Sequence, residues 1–308
     1  MIHVKVPATS ANLGPGFDCI GIAFSVYNRI WVELSDRTDV KVIIKNNSPK
    51  NRIPLNEDNL IYTTMQRFYD EAGIGKLPAV MITQEDDIPL TKGLGSSAAC
   101  VAAGLLAANA LSGGKLNKKD ICDLAARLEG HPDNSTPALV GGLVIGAMSD
   151  VALNYIKIIP KDDLLFMAMI PDFQLSTQKA RSVLPKNVAI EDAVFNISHA
   201  ALMAAAFSCG DNSMLAAAME DRLHQPHRAP LIPGMDGIIK AAKDNGALGA
   251  YLSGAGPSII AVCDGGAANG FYEKMDGYLR QLHNVWTLVP LTPDIRGAEV
   301  TVTDPVMQ

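Results

Sequence analysis

Alternating apolar and polar positions in Ile2-His3-Val4-Lys5-Val6 predict a half-buried strand at the start of the chain. Turn formers and hydrogen-bonding side chains then break the alternation over Pro7-Ala8-Thr9-Ser10-Ala11-Asn12-Leu13-Gly14-Pro15-Gly16-Phe17-Asp18. β-Branched and aromatic enrichment predicts strands over 19–34 and 40–44. The spacing of Leu60, Ile61, Met65, Phe68 and Tyr69 predicts a helix over 59–72. A strand over 78–83 leads through a polar, acidic approach, Gln84 to Asp87, into a glycine loop, and small and aliphatic residues from Ser96 onward predict a buried helix. Asn117 with Asp120 three residues later resembles a capping box, opening a helix that closes at a Gly130 C-cap. After a loop over 131–137, a glycine-punctuated strand is expected over 139–148.

The second half predicts a strand over 164–170, a short helix over 176–184 and a long alanine-rich helix over 189–209. A loop over 223–233, a helix over 235–244 and a strand-turn-strand unit over 249–263 come next. A helix over 267–282 and strands over 285–291 and 299–303 finish the chain. Strands followed by helices, without regular alternation, indicate an α+β protein. Pro160-Lys161-Asp162-Asp163 is the best boundary, dividing 1–160 from 161–308.

Composition narrows the class. With 308 residues, 48% hydrophobic and 19% charged, the chain has an ordinary globular balance and room for two domains. A formal charge of −6 with no basic cluster argues against nucleic acid or an anionic membrane as partner. The longest apolar run, Ala98 to Ala108, is too short to span a bilayer, and the strand-like N-terminus has no signal-peptide core, so a cytoplasmic protein is expected. Five scattered cysteines without a C-x-x-C pair predict buried, reduced thiols rather than disulfides or zinc.

The chemistry centres on Pro89-Leu90-Thr91-Lys92-Gly93-Leu94-Gly95-Ser96-Ser97-Ala98-Ala99. Glycines feeding a helix N-terminus offer unpaired N–H groups and a positive dipole end to an anion. It is not a P-loop, because Lys92 precedes both glycines. Gly93, Gly95 and Ala98 fit the loose dinucleotide pattern, but Pro89 and Thr91 interrupt the strand it requires, and Asp120 lies in a charged helix start. Taken alone, the stretch does not separate a phosphate cradle from a glycine turn entering a core helix.

Together with residues 7–18 and the Ser253-Gly254-Ala255-Gly256-Pro257-Ser258 turn, however, it resembles the GHMP small-molecule kinases over essentially the whole chain. Pro7 to Asp18, Gly130-His131-Pro132-Asp133-Asn134 and His224-Gln225-Pro226-His227-Arg228 resemble the homoserine kinases within them. The resemblance implies an N-terminal domain like domain 2 of ribosomal protein S5 and a ferredoxin-like C-terminal domain. ATP and a small alcohol would lie between them, and the chain would be a homodimer. Residues Pro89 to Ala99 would hold the nucleotide, Ser97 and Glu129 would bind Mg²⁺ with Asp123 as the alternative to Glu129, and the 253–258 turn would close beside the loop. Asn12, Asp18, His131, Thr177, Arg181 and Arg228 would line the pocket for L-homoserine, the arginines taking its carboxylate.

Two mechanisms stay open at Asp133 and Asn134: Asp133 as general base, or Asn134 facing the hydroxyl with no side-chain base. Two other functions also stay open, a kinase for another small alcohol such as mevalonate and a sensor of the same fold without turnover. His224 and His227 form an H-x-x-H pair on a proline-containing loop with no third ligand, which does not make a metal site.

Overall fold

The computed structural model describes residues 1–37, 39, 41–48, 53–150, 152–161 and 164–303. Strand β1 (Ile2–Asn12) alternates in burial at its start and is buried throughout from Val6 onward. It pairs antiparallel with the 19-residue β2 (Gly16–Leu34). β3 (Val42–Asn46), α1 (Leu60–Ala72) and β4 (Val80–Asp86) form a β-α-β unit with β3 and β4 parallel. The expected strand over 40–44 thus runs two residues later; Val40 is outside the described residues. Asn59 caps α1, its side chain accepting from the Ile61 and Tyr62 N–H groups at 3.0 and 3.4 Å.

α2 (Ser96–Leu111) is buried around most of its circumference, as its alanine-rich sequence requires, against α1, β1, α3 (Lys118–Glu129) and α4 (Ser135–Val140). Asn117 and Asp120 form the expected capping box on α3, and Gly130 ends it at φ 82°. The expectation of a loop and then a strand from Leu139 is corrected: residues 135–140 are helical, and β5 (Leu143–Met148) begins only after the left-handed Gly141-Gly142 turn. β6 (Leu153–Ile158), hidden by its mixed polarity, pairs with β5, and β5 pairs with the start of β2.

The second sheet has the order β10-β7-β9-β8, all antiparallel. In chain order it comprises β7 (Leu164–Pro171), α5 (Thr177–Ser182), α6 (Ile190–Cys209), α7 (Leu215–Ala218), α8 (Gln225–Arg228), α9 (Met235–Asp244), β8 (Gly249–Leu252), β9 (Ile259–Asp264), α10 (Ala268–Leu279) and β10 (Trp286–Leu291). With α9 and α10 as its main helices this is the split β-α-β of a ferredoxin-like domain. The loop expected over 223–233 contains α8 because Asp221 collects the N–H groups of Leu223, His224 and Gln225. The last strand, β11 (Glu299–Val302), leaves the second sheet and pairs with β1. Of the proposed boundary residues, Asp162 and Asp163 lie outside the described residues.

All five cysteines are unpaired, but only Cys100, Cys122 and Cys263 are buried. Cys19 is half-buried and Cys209, at the end of α6, is exposed. No helix among the described residues is long and apolar enough to cross a membrane.

Candidate active site

A cavity of about 510 Å³ runs between the two sheets. Its lining includes Pro89 through Ala98, Glu129, His131, Asp133 and Asn134, together with Asn12, Asp18, Thr177, Arg181 and Arg228. Ala99 alone of the expected residues lies behind the wall, its N–H spent on the Gly95 carbonyl at 2.9 Å inside the helix.

The nucleotide end is built from backbone. Gly95 is the N-cap of α2 at φ 70°, with no side chain capping it. The two serines are therefore not caps, and the first residues of α2, whose N–H groups have no partner within the helix, line the cavity at a positive dipole end. A β-carbon on Gly93 would overlap the Ser253 carbonyl, and one on Gly95 would overlap Thr9 Oγ1. Both glycines have left-handed φ, so sterics and backbone conformation both require glycine here. Ser253 Oγ donates to the Gly93 carbonyl at 2.5 Å, Ser10 and Ser253 hydroxyls are 2.7 Å apart, and the Ser258 N–H reaches the Lys92 carbonyl at 3.3 Å. The 253–258 turn thus closes beside the loop as expected.

Ser96 Oγ donates to Asp86 at 3.2 Å, a carboxyl that burial pushes up to about 6. Lys92 donates its ammonium to the Pro171 and Phe173 carbonyls at 2.8 and 2.6 Å, tying the loop to the end of β7, and burial lowers its pKa.

The Glu129 carboxylate forms no hydrogen bond or ion pair with any described residue although the residue lines the cavity. Burial pushes its carboxyl up to about 7, with His131 opposing and Asp133 adding to the rise. A carboxylate that is desolvated, unpartnered and on the cavity wall fits a hard divalent cation. Asp123 is engaged elsewhere: it accepts the Leu153 N–H at 2.9 Å and pairs with Lys119 at 3.1 Å.

The other end is built from charges. Arg181 grips Asp18 with two bonds, of 2.9 and 2.7 Å, which raise the Arg181 pKa. Asp18 sits at φ 57° with its N–H on Asn12 Oδ1 at 3.0 Å, while Asn12 Nδ2 donates to the Gly254 carbonyl at 3.0 Å. His131 Nδ1 lies 2.5 Å from Asp133 Oδ1. Burial works against the imidazolium, but the bond to Asp133 leaves the His131 pKa above its ordinary value. Asn134 Nδ2 also donates to Asp133 Oδ1, at 3.3 Å, and Thr9 Oγ1 donates to Asn134 Oδ1 at 2.9 Å. Because a carboxylate only accepts, this chain of donors fixes which way the Asn134 amide faces.

Thr9 was not anticipated as part of the site, although it lies within the quoted 7–18 segment; it is fully buried, and its role emerges only where β1 meets α4. Asn59, Gln84, Cys100 and Leu175 also line the cavity, and no local pattern marks them.

Residues 59–142 match the model of the GHMP kinases N terminal domain, and residues 200–281 match that of the GHMP kinases C terminal domain. These spans cover more than half of the chain, which belongs to the GHMP kinases. Among its relatives, a homoserine kinase of Caldicellulosiruptor bescii is 47% identical over 97% of both chains. One from Clostridium botulinum is 43% identical, covering 99% of this chain and all of the relative. The crystal structure of homoserine kinase from Cytophaga hutchinsonii, 32% identical, matches with a TM-score of 0.86 over 97% of both chains.

Proposed function

We propose that the protein transfers the terminal phosphoryl group of ATP to the side-chain hydroxyl of L-homoserine, giving O-phospho-L-homoserine, a step toward threonine. The observation that carries this reading is one cavity with an uncapped helix N-terminus at one end and the Asp18–Arg181 pair beside Arg228 at the other. Phosphoryl transfer asks mainly for positioning and charge stabilisation, and each part has a residue. The α2 N–H groups and the Gly93 to Gly95 backbone receive the phosphates. Ser97 and Glu129 would hold Mg²⁺, which when bound neutralises charge on the phosphoryl group.

The Asp18–Arg181 pair explains selectivity. A zwitterionic substrate brings an ammonium for Asp18 and a carboxylate for the arginines, so both ends of the internal pair are repaid in kind. A carboxylate without an amino group, such as mevalonate, would take Arg181 and leave Asp18 without its partner. Asn12 holds Asp18 in place, and Thr177 and His131 complete the pocket wall.

Asn134 has both ends of its amide occupied, and Asp133 Oδ1 already carries His131 and Asn134. These bonds support a role for Asp133 in orienting both neighbours around the hydroxyl, whose proton then passes to a phosphoryl oxygen rather than to a side-chain base. The same reading makes the protein a cytoplasmic homodimer, with domains over 1–160 and 161–308 except that β11 (Glu299–Val302) returns to the first domain's sheet.

Its test is ADP release over a panel of L-homoserine, L-serine, mevalonate and galactose at neutral pH with ATP and Mg²⁺. Turnover on homoserine, at least about tenfold in kcat/KM above the others, is expected. Turnover on mevalonate but not homoserine would overturn the substrate assignment. Absence of turnover on all four would favour the sensor.

A further inference from the structure

His224, half of the H-x-x-H pair, has no part in the chemistry so far. It is fully buried at the start of α8, where its ring stacks on Phe17 at 5.2 Å. Its loop is held by Asp221, whose buried carboxylate accepts from three backbone N–H groups and from Asn196 Nδ2 at 2.7 Å.

The partners of the two ring nitrogens decide its protonation. Nε2 faces the Gly14 carbonyl at 2.7 Å and the Asp221 carboxylate at 3.5 Å, both acceptors, so Nε2 carries the proton. Nδ1 faces Arg228 Nη1 at 3.1 Å, a donor only, so Nδ1 presents its lone pair. The ring is therefore neutral, and burial agrees, lowering its pKa to about 4. Arg228 stays charged, at about 10 after the lowering by burial and by the nearby Arg181.

The donors of Arg228 can then be followed one by one. Nε donates to the Ala180 carbonyl at 3.2 Å, and Nη1 donates to His224 Nδ1 and to the Gly254 carbonyl at 2.8 Å. Nη2 has no partner among the described residues, while Arg228 lines the cavity. We propose that His224 is a positioning residue for the substrate carboxylate: its Nδ1 lone pair occupies one Nη1 proton of Arg228 and so presents Nη2 as the donor for that carboxylate. This rests on the reading of Arg228 given above.

Two variants separate the hydrogen bond from packing. In His224→Asn the amide oxygen can stand where Nδ1 stood and still accept from Arg228. In His224→Gln the longer side chain reaches toward Gly14 and leaves one Nη1 proton unpaired, the other staying on the Gly254 carbonyl. A hydrogen bond to a charged group contributes about 1.5–3 kcal/mol, so His224→Gln should raise the KM for homoserine at least about tenfold. The KM for ATP should stay within about twofold, and His224→Asn should keep the homoserine KM within about threefold of wild type.

Equal losses in both variants, or equal rises in the two KM values, would reduce His224 to packing. Imidazole ¹⁵N–¹H correlation spectra of the unmodified protein at pH 7 give an answer independent of variant folding. The neutral Nε2–H tautomer is expected, and an imidazolium or an Nδ1–H tautomer overturns the proposal. Arg228→Ala, measured alongside, separates the two levels: if it leaves the homoserine KM unchanged, the carboxylate assignment itself fails.

Discussion

Gly95→Ala is expected to lower kcat/KM for ATP by about a hundredfold or more, the scale of an ångström-level misplacement of a reacting group. Two effects combine at this position. Gly95 has φ 70°, and its new β-carbon would overlap Thr9 Oγ1, with Thr9 Cβ and N at 3.1 Å. Thr9 cannot yield freely, because its hydroxyl holds Asn134 and its N–H holds the Leu94 carbonyl at 3.2 Å. The displacement would therefore reach both the phosphate loop and the residue beside the accepting hydroxyl. Gly75→Ala is the matching control: φ is 88°, but no atom lies within 4 Å of the new carbon. It should cost about 1 kcal/mol of stability and leave kcat/KM nearly unchanged. Gly95→Ala with activity within threefold of wild type would remove the loop from the nucleotide site.

Glu129→Gln should lower kcat by about 10²–10³, since it keeps the shape of the side chain and deletes the charge offered to Mg²⁺. A loss under tenfold would move the metal ligand elsewhere. The same variant carries a stability signature. The carboxyl, with an ordinary value of 4.5, rises to about 7 in the fold because burial disfavours its charge. The folded protein thus binds this proton more tightly than the unfolded chain, and its stabilising contribution is complete below about 4.5 and lost as pH rises through about 7. In magnesium-free buffer the melting temperature of wild type should therefore fall more steeply between pH 5 and 8 than that of Glu129→Gln. Parallel curves for the two proteins would contradict the assigned environment. Asp86 titrates in both proteins, so the difference between them reports Glu129 together with its interaction with His131.

Much of this architecture was legible in one dimension because its signals are local. The Asn117–Asp120 capping box, the Gly130 C-cap and the period of α1 depend on neighbours within a few residues, and the structure reproduces them. Elements whose polarity is set by distant partners were not legible. β6 is an edge strand of mixed character that only its pairing with β5 reveals, and α4 forms within a stretch of loop-like composition once Gly141 and Gly142 turn the chain.

The same division runs through the site. The glycine loop and the residue types around it were determined by the sequence alone, since only glycine tolerates the backbone at Gly93 and Gly95 and since the helix that follows is written in its alanines. Tertiary structure decided the pairings: that Asp123 is engaged on β6 while Glu129 is free at the cavity, that Thr9 orients Asn134, and that His224 holds Arg228. A hydrogen bond between residues 125 positions apart leaves no trace in either one's immediate neighbours; it exists only once folding brings a donor against an acceptor.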